Sequence, residues 1–150
     1  MQKNVTIFKN IRETETPFYR NIDTILLRIK EGKSIDLVKS IRSEKDKSER
    51  NELKKLLPAV CFSGEFTKRA DKSIVNHSGF ICLDFDNYEK VKEMQDDKSR
   101  LSKDKYVYSV FVSPSGKGLK IIVKIPADID NHANYFISLE EYFDSPYFDK

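Results

Sequence analysis

The sequence lacks the features that mark membrane-spanning, secreted and zinc-binding proteins. No apolar run approaches the roughly 18 residues needed to span a bilayer, and the N-terminus lacks the apolar stretch of a signal peptide. The only cysteines, Cys61 and Cys82, lie within apolar runs rather than at metal-ligand or disulfide-framework spacing. We therefore expect a cytoplasmic protein without membrane contact, in which both cysteines are small buried hydrophobic residues.

Signatures of several enzyme classes are also missing. There is no His-x-His pair, which a relaxase-like nicking domain would need for its metal. Neither serine nor cysteine has the context of an activated nucleophile. The run Gly116-Lys117-Gly118 is not a P-loop, because the pattern G-x-x-x-x-G-K-[ST] is absent. The sequence thus gives no sign of a hydrolase triad or a relaxase.

The chain is heavily charged, but the two signs nearly balance. Charged residues make up 34%, against the roughly 25% typical of globular domains, and 27 basic residues face 24 acidic ones. Residues 1–75 hold 17 basic and 11 acidic residues, whereas residues 76–150 hold 10 and 13. Such asymmetry can place a polyanion near a carboxylate-held metal, although solvated, lysine-rich helix faces would give the same counts.

The apolar spacing predicts one α+β domain over residues 1–150, in which helices partly cover a sheet. After a weak strand at residues 5–8, residues 1–57 are expected to be mainly helical, and residues 58–150 to contain the sheet. The predicted helices cover residues 22–29, 35–41, 48–57 and 87–94 and the segment after Pro126, with Ser48 and Asn87 as N-caps. The predicted strands cover residues 59–62, 79–86, 106–112 and 119–125.

The strongest local feature is the segment GFICLDFDNYE, residues 79–89. Side chains alternate between the faces of a strand, so Ile81, Leu83 and Phe85 should face the core. Asp84 and Asp86 would then share the other face, about 7 Å apart. Neighbouring carboxylates repel unless a cation lies between them, and they suit Mg²⁺ or Mn²⁺. We predict that Asp84 and Asp86 are metal ligands, the alternative being a loop-entry or helix-capping role.

A second feature, SVFVSPSGKGLKIIVKI, places a turn between two apolar runs. Its glycines permit tight turning and exposed N–H groups, and its hydroxyls and lysines are groups that bind phosphate oxygens. The predicted nucleotide-binding residues are Ser113, Ser115, Gly116, Lys117, Gly118 and Lys120. The same residue types are ordinary in turns, so an unspecialised hairpin is the alternative.

A third feature, FSGEFTKRAD, carries two basic residues after an apolar strand that breaks at Gly64. Arg69 could clamp a phosphate or a template backbone, with Lys68 as an auxiliary contact. We predict both as nucleic-acid contacts. Plain solvent exposure is the alternative.

Three segments in this order resemble the VirE N-terminal domain family: LPAVCFSGEFTKR, then GFICLDFD, then SPSGKGLKIIVKI with the following helix HANYFISLEEYF. The resemblance runs from about Leu56 to Phe143. That family is a primase-polymerase-like module of the archaeo-eukaryotic primase superfamily, found in bacterial mobile-element and phage proteins. The resemblance implies an RRM-like primase-polymerase core with an antiparallel or mixed sheet, preceded by a basic helical region.

Three superfamily motifs have counterparts here. The pair of acids matches Asp84-Phe85-Asp86, and the nucleotide-binding run Ser-Gly-x-Gly-x-His matches residues 115–120, with Lys120 in place of the histidine. The third motif, an acid after an apolar residue, fits Phe143-Asp144 in letters, but that pair falls near a helix end. The resemblance therefore places the third acid at Asp144 or beyond Lys150, in a longer parent protein.

The resemblance implies a DNA primase-polymerase-like module for metal-dependent nucleotidyl transfer, in the replication of a mobile element or phage. Asp84, Asp86 and Lys120 would be the catalytic residues, and Mg²⁺ or Mn²⁺ the cofactor. The implied partners are a nucleoside triphosphate, a DNA template or primer, and a helicase-type ATPase domain in the same parent protein. Because Lys120 keeps the charge of a histidine but not its proton transfer, the alternative is a non-catalytic nucleotide- or nucleic-acid-binding module.

Overall fold

The computed structural model describes residues 3–150, and these residues confirm the α+β class. They form five α-helices and eight strands, which pair antiparallel in three sheets. The chain divides into two compact units, the first ending at Ser78 and the second running from Gly79 to Lys150. No helix within residues 3–150 is both long and apolar enough to cross a membrane.

The first unit contains two antiparallel sheets. In one, β1 (Asn4–Phe8) lies between β2 (Phe18–Asn21) and β3 (Ala59–Cys61). In the other, β4 (Gly64–Phe66) pairs with β5 (Ile74–His77). The strands predicted at residues 5–8 and 59–62 correspond to β1 and β3, whereas β2, β4 and β5 were not predicted.

A buried threonine joins the two sheets of the first unit. Thr6 on β1 donates its hydroxyl hydrogen to the carbonyl oxygen of Gly64 at 2.6 Å. The hydroxyl oxygen of Thr6 in turn accepts a hydrogen bond from the N–H of Phe66 at 2.9 Å. Because Thr6 is fully buried, no water can replace these two bonds, and they hold β4 against β1.

Three helices lie between β2 and β3, namely α1 (Ile22–Lys30), α2 (Ile35–Ser43) and α3 (Lys47–Lys54). The first two correspond to the helices predicted at residues 22–29 and 35–41, and Ile22, Ile25 and Ile41 are buried, whereas Ile29 and Ile35 are exposed. The predicted limits of the third helix are wrong. Asp46 rather than Ser48 caps α3, because its side chain accepts the N–H of Glu49 at 2.9 Å.

The second unit is a single antiparallel sheet with two helices. Its elements are β6 (Phe80–Phe85), α4 (Val91–Leu101), β7 (Val107–Val112), β8 (Leu119–Lys124) and α5 (His132–Phe143). The sheet order is β6-β8-β7, so β8 inserts between two strands that a helix connects, as in a split β-α-β arrangement. The three strands agree closely with the predicted ones, while the finer RRM-like description stays a prediction.

One face of this sheet forms the core of the second unit. Ile81, Leu83 and Phe85 are buried there, as the alternation on β6 predicts. The matching residues of β8 are Leu119, Ile121 and Val123, and the cluster also includes residues of both helices. Asp84 and Lys120 are therefore placed on the other face of the sheet, outside this apolar layer.

The predicted N-cap of α4 is wrong. Asn87 adopts a left-handed conformation with φ of 68°, and the helix begins only at Val91. Tyr88 precedes the helix instead of lying on it; its hydroxyl donates to Asp97 Oδ2 at 2.7 Å, and its ring stacks on Tyr147. The left-handed turn at Asn87 lets the chain leave β6 and place Tyr88 in the core.

Both cysteines are free thiols. Burial raises the pKa of Cys61, and burial raises the pKa of Cys82 to about 12. Both thiols therefore stay protonated near neutral pH and are poor nucleophiles.

Candidate functional site

The first predicted acid and the predicted lysine face each other across two strands. Asp84 on β6 lies directly opposite Lys120 on β8 in the strand register. The Nζ atom of Lys120 lies 2.8 Å from Asp84 Oδ1. The two residues therefore form a hydrogen-bonded ion pair on the face of the sheet that is turned away from the apolar core.

The surroundings of Lys120 favour its charged form. Burial lowers the pKa of Lys120, but the hydrogen bond to Asp84 and the negative charges of Asp84 and Asp86 more than offset it. The net effect is a raised pKa. Lys120 thus supplies a permanent positive charge at neutral pH, which a histidine at this position would not.

The predicted phosphate-binding hairpin folds into a compact turn before β8. The N–H of Ser113 donates to the carbonyl oxygen of Gly118 at 2.9 Å, and the N–H of Gly116 donates to that of Ser113 at 2.9 Å. The hydroxyl oxygens of Ser113 and Ser115 lie 3.1 Å apart, within hydrogen-bonding distance. Gly116 has a φ of 78°, a conformation that favours glycine.

Close packing ties this hairpin to the acids at the end of β6. A Cβ atom at Gly118 would lie only 2.6 Å from Asp86 Oδ1 and 2.7 Å from the carbonyl oxygen of Phe85. Only a residue without a side chain permits this approach. The N–H of Tyr88 also donates to the carbonyl oxygen of Lys117 at 3.1 Å, while the Lys117 side chain is exposed.

A third acid, Asp149, lies beside the predicted pair. The chain after α5 returns to β6, where an isolated antiparallel bridge joins Phe148 to the strand. The N–H of Asp149 donates to the carbonyl oxygen of Asp84 at 2.9 Å, and the N–H of Asp86 donates to that of Tyr147 at 2.8 Å. These bonds hold a carboxylate at the strand end where Asp84 and Asp86 lie.

The environment of Asp86 disfavours its charged form. Burial is the main cause that raises the pKa of Asp86, followed by hydrogen bonding with the Asp149 side chain and by the charges of Asp84 and Asp149. The charge of Lys120 opposes the shift but does not cancel it. Asp86 therefore holds its proton more readily than an isolated aspartic acid does, as expected for a buried carboxyl group among negative charges.

The sequence pointed to Asp144 or to a residue beyond Lys150 as the third acid. Asp144 ends α5 in a left-handed conformation with φ of 43°, and the acid that contacts Asp86 is Asp149. Phe148-Asp149 fits the same pattern of an apolar residue followed by an acid as Phe143-Asp144. The letters alone could therefore have suggested Asp149, but they could not have chosen between the two.

The predicted nucleic-acid contacts, Lys68 and Arg69, lie in the first unit. The Arg69 guanidinium donates to the carbonyl oxygen of Ile11 at 2.8 Å, and its backbone N–H donates to that of Thr14 at 2.8 Å. Arg69 thus stabilises the loop after β1. Lys68 is exposed, so its nucleic-acid role stays a prediction.

The carboxylates at this strand end could hold one divalent cation through one or two protein ligands, but among the residues that the structure describes they do not form a site with three or more protein ligands. Within residues 3–150, no three or more His, Cys, Asp or Glu side chains are grouped so that they could hold a metal ion. One oxygen of Asp84 is engaged by Lys120. The pair Asp86 and Asp149 remains, and a hard cation such as Mg²⁺ or Mn²⁺ needs only one or two protein carboxylates.

Comparison with known proteins corrects the family assignment made from the sequence. The family model that matches, over residues 52–147, is the BT4734-like, N-terminal domain. No curated protein and no solved structure shows significant similarity to the chain. The resemblance to the VirE N-terminal domain family was wrong, and the mobile-element context and the helicase-type ATPase partner had no other support. Since the match covers more than half of the sequence, the chain belongs to the BT4734-like, N-terminal domain family.

Proposed function

We propose that the second unit is a primase-polymerase-like module that binds a nucleoside triphosphate with Mg²⁺ or Mn²⁺ and transfers its nucleotide to the 3′-hydroxyl of DNA, with release of pyrophosphate. The observation that carries the proposal is the meeting of three acids, Asp84, Asp86 and Asp149, at one strand end. A hairpin rich in glycine and serine packs against the same strand end. Acids beside a phosphate-binding turn are what metal-dependent nucleotidyl transfer requires.

The acids would hold the cation. The neighbouring acids Asp84 and Asp149 raise the pKa of Asp86, and a divalent ion would relieve the repulsion between these negative charges. When bound, the ion would neutralise phosphate charge and lower the pKa of the attacking hydroxyl group. Gly118 keeps the turn close enough that phosphates bound there would lie next to these acids.

The hairpin would hold the triphosphate. Ser115 carries a hydroxyl group that can donate to phosphate oxygens, while Ser113 is buried behind it with its hydroxyl oxygen 3.1 Å away. The turn at Gly116 presents backbone N–H groups. Lys117 is exposed and free to reach a charged ligand. The ammonium group of Lys120 has three N–H donors and uses one on Asp84, so it can contact a phosphate without breaking the ion pair.

A second candidate is a module that binds nucleotide or nucleic acid without catalysis. The ion pair between Lys120 and Asp84 favours it, because the lysine engages an oxygen that a polymerase would offer to a metal ion. Lys120 also cannot exchange a proton near neutral pH, since its pKa is raised. Nucleotide binding would survive these features better than turnover.

The test is extension of a labelled DNA primer by the 150-residue chain with Mn²⁺ and nucleoside triphosphates, with nucleotide binding measured in parallel. Asp86→Asn should reduce both Mn²⁺ affinity and primer extension. The expected reduction is at least about 10- to 100-fold, which is what loss of a group that supports a metal site typically causes. Asp144→Asn is the matched control. Asp144 follows a phenylalanine, as Asp86 does, but Asp144 is exposed. The control variant should leave both measurements unchanged.

Three results are informative. Extension that depends on Asp86 and not on Asp144 supports nucleotidyl transfer. Nucleotide binding without extension selects the non-catalytic module. If the chain binds neither Mn²⁺ nor nucleotide, or if both variants behave alike, the proposed site is wrong.

A further inference from the structure

The position of Lys120 is set by the sheet rather than by its own flexibility. β8 is the central strand, and Lys120 pairs with Asp84 on one side and with Phe111 on the other. Its backbone is therefore held on both edges, and its side chain is only 32% exposed. The ammonium group at 2.8 Å from Asp84 is a built-in cation of the acid cluster.

The charges of the cluster balance with a single divalent ion. Asp84, Asp86 and Asp149 carry three negative charges when all are ionised, and Lys120 carries one positive charge. One divalent ion would neutralise the remainder. A second divalent ion at Asp84 would have to lie close to the ammonium group, and like charges at that distance repel strongly.

We infer that Lys120 takes the place of the second metal ion of a two-metal site, so that the second unit holds one divalent cation, at Asp86 and Asp149. This inference rests on the proposed function, because it assumes that the acids bind a divalent ion. In this arrangement Asp84 pairs with Lys120 and does not bind the metal ion. Any further ion needed for nucleotidyl transfer must then arrive with the triphosphate.

The experiment counts bound Mn²⁺ by the electron paramagnetic resonance signal of the free ion, with the 150-residue chain and no nucleotide. The wild-type chain should bind one Mn²⁺, and Lys120→Met should bind two, because Asp84 becomes available. The double variant Asp84→Asn with Lys120→Met should return to one. Lys120→Gln gives a second way to remove the charge should the methionine variant unfold.

Lys124→Met is the matched control. Lys124 lies two alternations further along the same face of β8 and is exposed, so its loss should leave one bound Mn²⁺. Asp86→Asn with Asp149→Asn should remove the ion from the wild-type background. Folding of each variant is checked by its thermal melting curve.

The outcomes separate this inference from the proposed function. Two ions in the wild-type chain, or one ion in Lys120→Met and Lys120→Gln, would overturn the role of Lys120 while leaving a metal-binding site. If the double variant Asp84→Asn with Lys120→Met binds no Mn²⁺, Asp84 is a ligand of the ion that the wild-type chain binds, which would also overturn the inference. Absence of binding in every variant would overturn the proposed function and the inference together.

Discussion

Replacing Gly118 by alanine should damage both the fold of the second unit and its candidate site. The new Cβ atom would lie 2.6 Å from Asp86 Oδ1 and 2.7 Å from the carbonyl oxygen of Phe85, about 0.7 Å short of ordinary contact. The carboxylate can rotate away. The carbonyl belongs to a paired strand, so the hairpin must move instead.

The magnitude follows from two opposing effects. Gly118 does not have a positive φ, so alanine fits the backbone and would by itself stabilise the folded state by about 0.4–1 kcal/mol. Overpacking typically costs about 1–3 kcal/mol, and here it includes a backbone atom that cannot yield easily. We therefore expect a net loss of about 1–2 kcal/mol, with a melting temperature lower by roughly 2–4 °C for each kcal/mol in a chain of 150 residues.

Thermal melting and Mn²⁺ titration of the variant measure the two effects. Ser115→Ala is the control, because it changes the same hairpin but removes only the contacts of one hydroxyl, with the Ser113 hydroxyl and with the N–H of Lys117, a loss of about 1 kcal/mol. Mn²⁺ should bind more weakly to Gly118→Ala than to Ser115→Ala, since Asp86 must move. A Gly118→Ala protein that melts at or above the wild-type temperature would refute the argument that close packing positions the hairpin.

Three further predictions concern stability. Without metal, Asp86→Asn should be more stable than the wild type at neutral pH, because the raised pKa of Asp86 shows that the fold disfavours its charged form. Below about pH 4, Asp86 is protonated in both the folded and the unfolded protein, so urea melts there should show no advantage of the variant. Thr6→Val should cost about 1–3 kcal/mol in urea unfolding, because the carbonyl oxygen of Gly64 loses a buried donor; equal stability would show that the two sheets are held by other contacts. Tyr88→Phe should cost about 1–2 kcal/mol through loss of its hydrogen bond to Asp97, and the double variant with Asp97→Asn should cost less than the sum of the single changes.

The sheet of the second unit could be predicted because local signals agree there. Continuous apolar runs mark β6 and β8, and alternation on β6 separates Leu83 from Asp84. β2 could not be predicted in this way. Its sequence, FYRN, has no buried residue, and the strand exists because β1 offers a pairing edge.

The candidate site was predictable only where its residues are close in sequence. The spacing of Asp84 and Asp86 follows from the strand period, and the hairpin is visible in its turn residues. The pairing of Lys120 with Asp84 depends on strand register, and the position of Asp149 depends on how the chain returns after α5. Neither follows from a local sequence pattern, which explains why the sequence pointed to Asp144 or to a residue beyond Lys150 instead of to Asp149.

The attachment of the chain after α5 to β6 completes the candidate site. Two backbone hydrogen bonds hold this segment, from the N–H of Asp86 to Tyr147 and from the N–H of Asp149 to Asp84, and Phe148 is buried in the core of the second unit. Local opening of this segment would therefore have to break both bonds and expose Phe148 while the sheet stays folded. Because the detached state lacks Asp149, the apparent affinity for a ligand that needs it falls with the fraction of molecules attached. Hydrogen exchange at these two amides reads that fraction directly, and a bound cation should slow both to the same extent.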